Sequence, residues 1–209
     1  MKPKIVIKSG VQQWNYLHAG MRNNNPDFAA DLDRRLELAT KKGNFDRVKE
    51  LIEHGADLHI NDDAPLVIAL RNRHTQIADY LIDRGANVGA HDNFPVFYCA
   101  MEGNLSTLRK LVENGADPHA NGEQPLRKAA SKGFLPIVRY LVEKGAYINA
   151  ENSEAIKLSS EEDHLPVVKL LIEHGACPNT AHLYGGQKVR KYIEAFHAHA
   201  VSNHQRLSH

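Results

Sequence analysis

Apolar residues return along this chain at a single interval. Leu51, Leu81, Leu111, Leu141 and Leu171 stand 30 residues apart, and so do Leu36, Leu66, Val96, Leu126 and Ile156. A row of small residues, Ala39, Ala69, Cys99, Ala129 and Ser159, keeps the same spacing. The pair Gly-Ala does too, at 55–56, 85–86, 115–116, 145–146 and 175–176. Five copies without an insertion or deletion define a repeat, and a period in this range points to a solenoid. Within one copy, "PIVRYLVEKGA" places Ile137, Val138, Leu141 and Val142 at helical spacing. The preceding "QPLRKAASKG" predicts a shorter helix entered through Pro125, whose missing N–H is no loss in a first turn. Gly133 ends it, because glycine takes left-handed backbone without steric cost. Gly43 and Gly103 occupy the same place, but the second and fifth copies have Arg73 and Asp163 there. In those two copies either the helix ends differently or modest strain is stored.

One such helix pair cannot bury its apolar face alone, so the copies must stack and share a core. "APLVIA", "FPVFYC" and "QPLRKA", followed by "KG" and "IVRYLVEKGAYINA", resemble the ankyrin repeat, whose pattern includes T-P-L-H-x-A. The family's Thr is replaced by Ala64, Phe94 and Gln124, and its His by Val67, Phe97 and Arg127. The unit is 30 residues rather than about 33. The missing residues fall between Gly-Ala and Pro, where the family makes a β-hairpin finger. The resemblance therefore implies an all-α ankyrin solenoid with shortened fingers and tight turns between repeats. Its five repeats are 31–60, 61–90, 91–120, 121–150 and 151–180. Such short units resemble ankyrin proteins of large DNA viruses, bacteria and phages.

The two ends do not follow the repeat. In residues 1–30, "KIVIK" alternates like a short strand and "VQQWNYLHAGM" reads as a helix. This segment is either a cap on the stack or a partner-binding arm. In 181–209, Val189, Tyr192, Ile193 and Phe196 stand at helical spacing and predict a closing helix with a basic outer face, followed by a polar, frayed tail. Charge divides the same way. The formal net charge is +1, yet residues 31–180 hold 18 Lys/Arg against 23 Asp/Glu, while the first 30 and the last 29 each hold 4 against 1. A net-acidic repeat region argues against nucleic acid, which would have to be met by the basic ends, Lys188, Arg190 and Lys191 among them. No apolar run approaches the roughly 18 residues that span a bilayer. The start lacks the apolar core of a secretory signal. A cytoplasmic protein is expected.

Catalytic and metal chemistry find little support. There is no HExxH, no phosphate-binding Gly-Lys loop and no paired CxxC. His54 and His174 share one repeat position and His59 and His119 another, which marks them as exposed repeat residues rather than ligands. His197, His199 and His204 lie in a polar tail. Cys99 fills the small packed position, and nothing beside Cys177 in sequence marks an activated thiol. No enzyme activity, cofactor or metal is expected.

What varies between copies is more informative. Where Phe94 stands, other copies carry Ala64, Gln124 and Glu154. Where Met101 stands, they carry Lys41, Arg71, Ser131 and Glu161. A core position would stay apolar, so these two are expected on the surface. Tyr98 replaces Leu38, Ile68, Lys128 and Leu158, and Phe97 replaces Glu37, Val67, Arg127 and Lys157. These two are either interface or filling for the shortened finger. The resemblance implies docking on a concave face built from first helices and the turns before them. That face would take in Asn61, Asp62, Asp63 and Glu123 from the turns. From the helices it would take Arg71, Asn72, Val67, Glu102, Arg127, Lys128 and Lys132 beside the aromatic group. Aromatic residues, Met and Arg together have hot-spot composition. The expected function is stoichiometric binding of another protein. Either an inhibitor or immunity-type protein occludes its partner, or an adaptor recruits one. With 209 residues leaving little room for an effector domain, inhibition is favoured.

Overall fold

The computed structural model describes residues 26–207; the strand and helix expected before them, and with them the choice between cap and arm, lie outside the described residues. The described residues form twelve helices and no strand: α1 (Pro26–Lys41), α2 (Phe45–Glu53), α3 (Ile60–Arg71), α4 (Thr75–Asp83), α5 (Ala90–Glu102), α6 (Leu105–Glu113), α7 (Ala120–Ser131), α8 (Leu135–Glu143), α9 (Ala150–Glu161), α10 (Leu165–Glu173), α11 (Pro178–Tyr184) and α12 (Gln187–Leu207). The chain divides into two compact units between Pro95 and Val96, inside α5. In the first unit α1 packs on α2 and α3, and α3 packs on α4. In the second, α7 packs on α8 and α9, α9 on α10 and α11, and α11 on α12.

The recurring apolar rows are the core of both units. Leu36 and Leu66 in the first, and Val96, Leu126 and Ile156 in the second, are fully buried. The Leu51 row and the small-residue row are buried throughout. Each second helix ends in a paired bond across its glycine. In the first unit the Ala56 N–H donates to the Leu51 carbonyl and the Gly55 N–H to that of Ile52, and the pattern recurs in every copy. A Cβ on Gly55, Gly85, Gly115, Gly145 or Gly175 would meet nothing, so these positions are glycine for their backbone angle alone.

Arg73 and Asp163 adopt the same left-handed stop as the glycines they replace, with φ of 59° and 56°. Their N–H groups donate to Leu70 and Ser160, and those of the following histidines to Ala69 and Ser159. The helices end alike, and the strain is real. Asp163 recovers it, because its carboxylate accepts from the N–H of Val189 at 3.0 Å and of Lys188 at 3.3 Å at the start of α12. At Arg73 a glycine would relieve the left-handed backbone. Arg73→Gly is therefore expected to stabilise the protein by about 1 kcal/mol. Asp163→Gly is expected to destabilise it by about 1 kcal/mol, through the lost cap. Urea unfolding of the two variants should shift in opposite directions.

The place of the missing finger residues is filled by a device the spacing does not disclose. Asn61, Asp62 and Asp63 are all left-handed, with φ of 50°, 56° and 58°, just before Pro65. The same turn recurs at 91–93, 121–123 and 151–153. Left-handed backbone disfavours most L-residues by about 1–2 kcal/mol each, and Asn, Asp and Gly tolerate it best. Seven of the twelve residues in these turns are Asn or Asp, and one is glycine. That composition permits a finger of this length.

In three of the copies a buried carboxylate at one repeat position then braces the first helix to the end of the same copy. Asp33 accepts from the Asp57 N–H at 2.7 Å, Asp63 from Asn87 at 2.8 Å and Glu123 from Tyr147 at 2.9 Å. Asp63 and Glu123, expected on the docking face, are buried instead, as is Val67. The histidines are also structural. The His74 and His164 rings lie where a Cβ on Gly43 or Gly133 would stand, and contact the Lys41 and Ser131 carbonyls. His59 and His119 contact the carboxylates of Asp63 and Glu123.

At the C-terminal end, Val189 and Ile193 of the closing helix are buried, and Phe196 is 39% exposed. The closing helix α12 runs to Leu207. The short α11, begun by Pro178 inside the fifth copy, is an addition to the expected order.

Candidate partner-binding surface

The variable residues fall in both units. In the first, Phe94 is half-buried in the opening turn of α5, and the Arg71 guanidinium from α3 lies over its ring at 4.7 Å. The stack holds the ring against its neighbour. Asn72 is exposed, and its amide donates to the Ile68 carbonyl at 2.8 Å, closing the end of α3. The turns are linked, since Asp62 accepts from the His91 N–H at 2.7 Å.

In the second unit Phe97, Tyr98, Met101 and Glu102 are all half-buried on α5. Fully buried Val96, Cys99 and Ala100 separate them, so one stripe of the helix faces the core and the other carries the aromatic and sulfur groups. One copy on, Lys128 is half-buried and Lys132 exposed. Neither has an ion-pair partner among the described residues. Arg127, expected to bind, is already engaged. It pairs with Glu154 and donates to the Asn121 carbonyl at 3.2 Å, so it fastens a turn to two helices. In the fifth copy the Lys157 ammonium lies over the Tyr184 ring at 4.6 Å, and Glu161 and Glu162 are exposed.

Other surface groups were not singled out by the reading of variable positions. Tyr147 is 66% exposed where other copies have Asp57, Asn87 and Asp117. Comparison between copies, the test that found Phe94, would have found it. Leu183 of α11 is 67% exposed. It lies outside the repeat register, so no such comparison reaches it.

Among the ionisable groups, Tyr140 and Cys177 depart from their ordinary ranges. Burial pushes the Tyr140 phenol above the ordinary tyrosine range, against the pull of nearby Arg109, and its hydroxyl has no partner among the described residues. The Cys177 thiol is exposed at the start of α11, where the backbone N–H groups of Thr180 and Asn179 hold it below the ordinary cysteine range. Sequence carried no sign of that. Among the described residues no group of three or more His, Cys, Asp or Glu side chains is placed to hold a metal ion. No described helix is long and apolar enough to cross a membrane.

A family model described as "Ankyrin repeats (3 copies)" matches residues 17–92 and 96–182. No curated protein matches the chain.

Proposed function

The chain belongs to the ankyrin repeat family, whose repeats mediate protein–protein interactions, and from that premise we propose that it acts without catalysis, by docking one protein stoichiometrically and occluding it. The observation that carries this reading is the half-buried group Phe97, Tyr98 and Met101 on a helix whose other stripe is fully buried. A frame that is already packed holds such side chains in place, so little ordering entropy is lost on binding. Phe94 and Arg71 present a second aromatic group in the first unit. A buried Cys99 and an unpaired Cys177 suit a reducing compartment such as the cytoplasm.

A second reading, an adaptor, is favoured by Leu183 and Phe196, which expose apolar area on α11 and α12 for another contact. The readings separate on stoichiometry and on the partner's activity. An inhibitor forms a one-to-one complex and silences its partner, whereas an adaptor leaves it active and brings in a third protein.

Phe97→Ala and Met101→Ala should each weaken the complex about tenfold, or roughly 1.4 kcal/mol. Unfolding free energy should change by less than about 1 kcal/mol. Isothermal titration against the partner captured from the native cell, beside a urea titration of each variant, checks both numbers. Unchanged affinity for both variants would refute this docking surface.

A further inference from the structure

We propose that the partner meets the second unit with a segment bearing an apolar anchor, an acidic group and a basic group in that linear order, about one copy apart. This rests on the docking face just described. Equivalent positions on the first helices change character at each copy. Phe97, Tyr98 and Met101 stand in the third, Lys128 and Lys132 in the fourth, and Glu161 and Glu162 in the fifth. Of the other charges on these first helices, Arg127 pairs with Glu154, Lys157 sits on Tyr184, and Glu102 has a contact within the protein. What remains is apolar, then positive, then negative.

A partner gains specificity from this order more than from any one contact, because reversing it puts like charges together. Helices packed side by side lie about 10 Å apart. An extended segment rises about 3.3 Å per residue, so its three groups would recur about every three residues. A helical segment, rising about 1.5 Å per residue, would space them about seven apart.

A random peptide library displayed on phage and selected on the immobilised full chain tests this directly. The expected winners carry a large apolar residue, then Asp or Glu, then Lys or Arg, at one of those two spacings and in either chain direction. On a Lys128→Glu, Lys132→Glu variant, binding of those peptides should fall at least about tenfold. A fresh selection on that variant should replace the middle acid by a base. Both lysines lie outside the core, and a melting curve by circular dichroism shows that the variant folds. Winners of any other order, the same winners on both chains, or no enrichment overturns the proposal. Winners indifferent to Phe97→Ala, Met101→Ala and the lysine reversal alike dock elsewhere and refute the face itself. Sensitivity to the lysines alone keeps the face and refutes the order.

Discussion

Replacing Leu126 by alanine is expected to lower the unfolding free energy by about 2–5 kcal/mol. Leu126 is fully buried in α7, which packs on both α8 and α9. Truncation leaves a cavity that two helix neighbours would have to move to fill. Because repeat stability is a sum of copy and neighbour terms, a loss at α7 weakens the packing of the next copy as well as its own. The urea midpoint should fall with little change in slope if the unit still unfolds together. A Lys132→Ala control on the surface should stay within about 0.5 kcal/mol. A loss at Leu126 of less than about 1 kcal/mol would show that the row is not the shared core.

Asp63→Ala is the second large effect, at about 2–3 kcal/mol. Its carboxylate accepts from the Asn87 N–H at 2.8 Å and contacts the His59 ring at 3.0 Å, while itself nearly inaccessible. Hydrogen bonds to charged groups contribute about 1.5–3 kcal/mol, and removing the acceptor strands a donor. Asp63→Asn retains an oxygen at the same reach and should recover part of the loss. Amide exchange at Asn87 supplies the local readout, with faster exchange in the alanine variant and near-native exchange in the asparagine variant. Equal losses in both variants would mean that the negative charge, rather than the accepted N–H, is what matters.

The helical frame was legible because its chemistry is repeated. The Leu51 and Leu36 rows, the small-residue row and the glycine stops each appear five times or nearly so, and each occupies the place its periodicity implied. The turns were legible only in length. Thirty residues where the family uses about 33 show that something is shorter, but not that three consecutive residues become left-handed. Asn61–Asp63 read as ordinary polar turn residues because Asn and Asp favour many turns besides this one.

The carboxylate brace was misread for a related reason. Asp63 and Glu123 are polar turn residues, and polarity alone assigned them to the docking face, whereas they are buried. An acid at this repeat position in three of five copies is the signal that it serves the frame, as the shared position is for His59 and His119. For the proposed docking face, variation between copies marked Phe94 and Met101 and left Phe97 and Tyr98 open, and the fold leaves all four half-buried. The same variation also picked out Arg127, whose guanidinium is taken by Glu154. Variation shows that a position is released from the common frame, but not whether a neighbour has claimed it.

The brace has a consequence for how the chain can change in length. Each carboxylate reaches 24 residues ahead, and the histidine clamps at His74 and His164 reach back 33. None of these ties depends on how many copies precede or follow. A segment of 30 residues duplicated or removed within the second unit would therefore leave the length of each loop to close unchanged, although the residues that meet at a joint differ between copies. A change by whole modules thus preserves the spacing of the frame while altering how many groups the proposed binding face would offer.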